Sequence, residues 1–156
     1  MLTRDWVVTA AHCCTSLGNS SVVVGQYNTK SINFGQIEVQ VKNYFIHPKY
    51  KADNEQEKGN DICLLQLSQR VEYSADKILP ACLPDKNTQP KRGTMCYVAG
   101  WGATSFGGNM YDGPLLTTKL PYVSDQKCKD NNDIFDSDTM MCAGYYNEIN
   151  DACQVR

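Results

Sequence analysis

Short apolar and β-branched runs, separated by polar and glycine-containing stretches, predict that this chain is built from β-strands. Valine, isoleucine, threonine and aromatic side chains favour the pleated surface of a sheet. No long segment has the period of an amphipathic helix, so the pattern predicts an all-β chain. The expected strands lie at residues 6–9 (a buried one), 22–25, 36–41, 44–48 and 60–67, with a polar surface loop at 51–59.

Composition and charge exclude several classes of partner. With 156 residues, of which 42% are hydrophobic and 21% charged, the chain is globular in composition rather than disordered. A net charge of -2 and the lack of a basic cluster argue against a nucleic-acid partner. No apolar run approaches the length of a membrane span, so no membrane partner is expected either.

The cysteines indicate an oxidising compartment. There are eight of them without paired C-x-x-C zinc spacing, so disulfides are the better interpretation and a secreted protein is expected. The first five residues nevertheless lack the apolar core of a signal peptide. We therefore expect a chain that has lost its beginning.

Two side chains with acid–base chemistry border apolar strands. His12 follows the run that starts at Trp6, and an imidazole can take and return a proton near neutral pH. Asp61 opens the apolar strand that continues to Leu67. On its own each has a plain structural interpretation, as a strand-end histidine or a turn aspartate. Neither alone indicates catalysis.

The motifs around these residues, taken in order, resemble those of the trypsin-like (chymotrypsin-family) serine proteases. They are T-A-A-H-C at 9–13, N-D-I at 60–62, C-Y-V-A-G-W-G at 96–102, M-C-A-G-Y at 141–145 and D-A-C-Q at 151–154. The resemblance implies two antiparallel β-barrels, both incomplete in this chain. Residues 1–84 would form most of the first barrel, 85–93 the linker, and 94–156 the first part of the second.

The resemblance also implies roles for three side chains. His12 would be the general base of the triad, and a buried Asp61 would accept a hydrogen bond from its ring and fix its tautomer. Asp151 would lie at the base of the specificity pocket and favour substrates with Arg or Lys before the scissile bond. The alternative for Asp151 is a loop aspartate without this role. No cofactor is implied.

The family pattern breaks off after Gln154. Where a G-D-S-G-G nucleophile loop would follow, the chain reads Val155-Arg156, and none of its serines lies in that context. Acyl transfer needs an activated hydroxyl and backbone donors for the oxyanion. We therefore expect the chain as printed to lack the serine nucleophile and to be inactive.

The cysteines divide into three groups under this resemblance. Cys128 would pair with Cys142, whereas the partners of Cys13, Cys82, Cys96 and Cys153 would lie outside the chain. Cys14 and Cys63 are extra, and each follows a triad residue by two positions. Because His12 and Asp61 must be neighbours, a Cys14–Cys63 disulfide is our hypothesis. The alternative is two small buried thiols.

Two further features concern modification and metals. Asn19-Ser20-Ser21 is the single N-x-S/T sequon, and a glycosylated or an unmodified polar loop fits it equally well. Some family members bind calcium through glutamates in a loop of the first barrel. Gln26, Asn33 and Gln36 fall at those places here, so we expect no metal site.

Three readings of the function follow. In the first, the chain is a fragment of a secreted, extracellular endopeptidase that cleaves protein or peptide substrates after Arg or Lys. Protein protease inhibitors would bind this enzyme. In the second, it is a truncated, non-catalytic homologue that acts as a binding protein or decoy. The third is an unrelated disulfide-rich structural protein, which would have no reason to place these motifs in this order.

The isolated chain is expected to be poorly soluble or partly unfolded, because open barrels expose strand edges.

Overall fold

The computed structural model of the chain describes residues 1–52, 59–86, 88–104 and 108–145. Within them the secondary structure is mostly antiparallel β, with two short helices. The elements are β1 (Trp6–Thr9), α1 (Ala11–Cys14), β2 (Ser21–Val24), β3 (Ile37–Ile46), β4 (Cys63–Leu67), β5 (Met95–Gly100), β6 (Leu116–Val123), α2 (Asp125–Lys129) and β7 (Cys142–Ala143). The prediction of an all-β chain is confirmed.

The residues group into two compact units. Met1–Gln26 and Asn33–Asn87 form the first unit, and Tyr27–Ile32 joins the residues from Thr88 onward in the second. The described helices have four and five residues, and neither is long and apolar enough to cross a bilayer.

The first unit is organised around one four-stranded sheet with the order β1-β4-β3-β2. Successive side chains of a strand point to opposite faces, and in β4 the inward positions are Cys63, Leu65 and Leu67, all buried. They contribute to two packed clusters, in which the other fully buried members are Ala11, Cys14, Val39, Val71 and Ile78. Strand β1 is less buried than its sequence predicts, since Val8 is 38% exposed.

Strand β3 is longer than the sequence pattern indicates. Its apolar halves at 36–41 and 44–48 were expected to be separate strands, but they are one strand from Ile37 to Ile46. The pairing with β4 shifts between Val41 and Asn43, so a bulge takes up the extra residue without ending the strand. The polar Lys42-Asn43 pair therefore marks a bulge and not a turn.

The second unit is built on a three-stranded sheet with the order β5-β6-β7. Its buried side chains include Leu120 and Tyr122 of β6, together with Cys128 of α2 and Phe135. Residues 27–32 join this unit through main-chain contacts: Asn28 bridges Pro114, and the carbonyl of Tyr27 accepts a 2.7 Å hydrogen bond from the Leu115 amide.

Candidate active site

The pairing of β1 with β4 brings the histidine and aspartate motifs together. Thr9, the last residue of β1, lies opposite Cys63, the first residue of β4. His12 follows Thr9 by three positions and Asp61 precedes Cys63 by two. Because the strands are antiparallel, both side chains belong to chain segments that leave the same end of the sheet.

His12 is held on a single helical turn directly after β1. The turn closes with a 3.2 Å hydrogen bond from the Cys13 amide to the Ala10 carbonyl, and the Thr15 hydroxyl donates to the His12 carbonyl at 2.9 Å. Ala11 and Cys14 point into the core with no exposed surface. A larger side chain at position 11 would have no room there, so the small residue fixes the turn against the sheet and leaves the His12 ring outside.

Asp61 is positioned by an unusual backbone conformation at the preceding residue. Asn60 has a positive φ of 58°, the left-handed region in which asparagine is enriched among non-glycine residues. The Ile62 amide donates to the Asn60 carbonyl at 2.8 Å, which closes a tight turn with Asp61 at its centre. Sequence reasoning named only the aspartate and missed this role of Asn60, although an Asn-Asp pair before a strand is a recognisable turn signal.

Two hydrogen bonds join His12 and Asp61. The ring Nδ1 lies 2.6 Å from Asp61 Oδ2, and the backbone amide of His12 donates to Asp61 Oδ1 at 2.8 Å. Both carboxylate oxygens are thus engaged by one residue, which fixes the orientation of the ring relative to the acid. With Nδ1–H donated to the carboxylate, Nε2 is the nitrogen that can accept a proton.

The side chains of His12 and Asp61 are more exposed to solvent than the expectation of a buried triad acid implies. The Asp61 side chain is 32% exposed and the His12 side chain 57% exposed. The expectation of a buried Asp61 is therefore not met in this chain, because the residue lies in a turn ahead of β4 and outside both core clusters.

The environment lowers the pKa of Asp61 below its ordinary value of 3.8. Partial burial is the largest influence and raises the pKa of this carboxyl. The hydrogen bonds from the ring and amide of His12, the charge of that ring and the Ala11 backbone all lower it, and together they outweigh burial. The site therefore keeps Asp61 ionised at neutral pH.

Replacing His12 by alanine is expected to raise the pKa of Asp61, because the ring hydrogen bond and ring charge are lost while the backbone amide remains. A carboxyl-carbon NMR titration measures this directly. Asp136 is the control in the same spectra, since its lowered pKa comes from the Thr139 hydroxyl and the Asp138 amide. We expect the pKa of Asp61 to rise in the variant and the pKa of Asp136 to stay unchanged. Equal pKa changes for the two carboxyls would contradict this prediction.

The lowered pKa of Asp61 makes the stability of the fold depend on pH. A folded-state pKa below the unfolded value means that the ionised carboxylate stabilises the fold. The contribution is complete above pH 3.8 and is lost as the pH falls through the lower folded-state pKa of Asp61.

A disulfide joins the two segments that carry the pair. Cys14 and Cys63 are bonded, their Cα atoms are 6.6 Å apart, and they are 0% and 1% exposed. The bond connects the end of α1 to the start of β4, so the His12 and Asp61 segments are linked covalently as well as by hydrogen bonds. A second disulfide, Cys128–Cys142, lies in the second unit with its Cα atoms 6.3 Å apart.

The other residues singled out in the sequence either take no part in this pair or lie outside the described residues. Asp151 and Cys153 lie outside the described residues. Cys13, Cys82 and Cys96 have free thiols in the described part of the chain. Across residues 1–52, 59–86, 88–104 and 108–145, no three His, Cys, Asp or Glu side chains are grouped as metal ligands.

Comparison with known proteins identifies the family to which the chain belongs. The family model described as Trypsin matches residues 1–155. Trypsin II-P29 of Gallus gallus is 34% identical over 154 residues, and Serine protease 1 of Canis lupus familiaris is 32% identical over 154 residues. Each alignment covers 99% of this chain and 59% of the relative. The antiparallel sheets described above are those of the trypsin-like all-β fold, and the chain belongs to the trypsin family of serine proteases.

Proposed function

We propose that the full-length protein is a secreted serine endopeptidase that cleaves protein substrates after Arg or Lys. The observation that carries this proposal is the His12–Asp61 pair, with Nδ1 at 2.6 Å from the carboxylate, within a trypsin-family chain. The chain spans 59% of the length of the two relatives, and the activity is therefore proposed for the whole protein.

The chemistry of the pair follows from its hydrogen bonds. His12 Nε2 takes the proton of a serine hydroxyl as that oxygen attacks the scissile carbonyl, and returns it to the leaving amine. Asp61 holds the ring in the tautomer that leaves Nε2 free, and its negative charge stabilises the imidazolium formed. The serine nucleophile and its oxyanion donors belong to a G-D-S-G-G loop, a sequence that these 156 residues do not contain.

The test compares two polypeptides on the same peptide substrates. The full-length protein is expected to hydrolyse arginyl and lysyl peptides, whereas residues 1–156 alone are expected to hydrolyse none, because they supply the base and its orienting acid without the nucleophile. A full-length protein that contains the serine, folds and still cleaves nothing would overturn the proposal.

The specificity is proposed to depend on Asp151. A carboxylate at the base of the pocket forms a charge-assisted hydrogen bond with an arginine or lysine side chain. Replacing Asp151 by serine is expected to lower kcat/KM for arginyl substrates at least about 30-fold, which corresponds to about 2 kcal/mol for breaking a buried charge pair. A leucyl substrate serves as the control, and a parallel fall for both substrates would contradict this assignment.

Secretion and protein partners are part of the same proposal. Two disulfides within the described residues support an oxidising, extracellular location. We expect protein substrates and protein protease inhibitors as partners of the full-length enzyme.

A further inference from the structure

We propose that Asn19 is an N-glycosylation site and carries an N-acetylglucosamine-linked oligosaccharide. Asn19-Ser20-Ser21 is the single N-x-S/T sequence in the chain, and its middle residue is not proline. The inference rests on the proposed secretion, because the transferring enzyme acts only in the secretory pathway.

Asn19 is exposed in the loop between α1 and β2. Leu17 and Val22, on either side of the sequon, both pack against the core cluster that contains Cys14 and Cys63. The Ser20 hydroxyl donates to the Leu17 carbonyl and so stabilises the return of the chain. With both ends of the loop anchored, Asn19 lies at an exposed bend.

The surface next to Asn19 is open at Gly18. Gly18 has a φ of +47°, and a Cβ built on it would meet no atom within 4 Å. The Asn19 carboxamide forms no hydrogen bond with another described residue, so attachment of a sugar breaks none within the described part of the chain. The hydroxyl of Ser21, the third sequon residue, lies at the first position of β2 and donates to Glu38.

The modification is a glycosyl transfer without oxidation or reduction. Asn19 Nδ2 forms a bond to the anomeric carbon of the first N-acetylglucosamine. The bond from that carbon to a phosphate oxygen of a polyprenyl-diphosphate oligosaccharide breaks, and the polyprenyl diphosphate leaves. The amide nitrogen loses one proton in the process. The sugar donor is therefore the co-reactant that the secretory membrane must supply.

The order of synthesis favours this reaction. Cys63 follows Asn19 by 44 residues. The sequon therefore enters the secretory compartment before Cys63, the disulfide partner of Cys14, does. The α1–β2 loop is thus still unconstrained when the transferase meets it, and the later Cys14–Cys63 bond closes beside an asparagine that is already modified.

The test is expression of the full-length protein in a secreting eukaryotic cell, followed by peptide N-glycosidase F in ¹⁸O water and mass spectrometry. The tryptic peptide 5–30 is expected to contain ¹⁸O-labelled aspartate at position 19, and enzyme treatment should increase gel mobility. Asn19→Gln and Ser21→Ala should abolish the labelled aspartate at position 19 and reduce the mobility change relative to the unchanged protein. Ser16→Ala is the matched control, because it removes an exposed serine of the same loop and leaves both the sequon and the Ser20–Leu17 hydrogen bond intact.

Secretion and peptidase activity are measured on the same samples to separate the two proposals. Secreted, active protein with unmodified Asn19 would overturn the glycosylation alone. Glycosylated protein that cleaves no peptide would support the modification and overturn the proposed function. Unmodified protein that stays inside the cell would overturn both the glycosylation and the proposed secretion.

Discussion

Replacing Asp61 by asparagine in the full-length protein is expected to lower kcat about 10⁴-fold, the size known for this substitution in the family's Ser-His-Asp template. The structural reason is the 2.6 Å contact between His12 Nδ1 and Asp61 Oδ2. An asparagine amide can donate to Nδ1, which places the ring proton on Nε2 and removes the base. Steady-state kinetics on an arginyl peptide measure the effect, and KM is expected to change little, because the lost interaction acts in the transition state.

The matched control is Asp76→Asn, which removes the same charge at an exposed position of the same unit. Its kcat should equal that of the unchanged protein. If Asp61→Asn kept kcat within a few-fold of the control, Asp61 would not orient the catalytic base and the site would have to be reassigned.

Removing the Cys14–Cys63 disulfide is expected to have the largest effect on stability. The bond spans a sequence separation of 49 residues, and loop-closure entropy predicts a loss of about 4 kcal/mol for the double alanine variant. Both sulfurs lie in the core, so truncation also leaves unfilled space there. Urea unfolding of the full-length variant measures the change.

The same variant is expected to disturb the catalytic pair. With the covalent link between α1 and β4 gone, hydrogen bonds and the packing of Ala11 are left to hold His12 against Asp61, and a misplacement of about 1 Å costs about 10² in kcat. The pKa of Asp61 should then rise toward its ordinary value. Cys128→Ala/Cys142→Ala is the control: its separation of 14 residues predicts a loss of about 3 kcal/mol, with the pKa of Asp61 unchanged. An Asp61 pKa that is the same in both variants would show that the first disulfide has no positioning role.

The strands followed from the sequence wherever apolar residues ran without interruption. β1 and β4 each lie within a predicted run, and β2 begins one residue before its predicted run. The joined strand β3 could not be predicted, because Lys42-Asn43 has the composition of a turn and only cross-strand pairing turns it into a bulge. The placement of Tyr27–Ile32 in the second unit depends equally on contacts with residues far along the chain, at Pro114 and Leu115.

The candidate site shows the same division. Family motifs singled out His12 and Asp61, and the spacing of Cys14 and Cys63 led to a disulfide hypothesis for the pair that the structure joins. The left-handed conformation of Asn60, the helical turn at His12 and the exposure of Asp61 were not evident in the motifs. They depend on how the chain leaves the ends of β1 and enters β4, which local sequence patterns do not specify.

The most direct test of the account is affinity labelling of the full-length protein with a peptidyl-arginine chloromethyl ketone, followed by peptide mapping. The chain has two histidines, and His47, whose Nδ1 accepts a hydrogen bond from the Lys49 amide at 3.3 Å, is the internal control. We expect alkylation of His12 at Nε2 and none of His47, with loss of peptidase activity in proportion to labelling of His12. Activity that is lost while His12 remains unmodified, or labelling of His47 in its place, would contradict the assignment of His12 as the catalytic base.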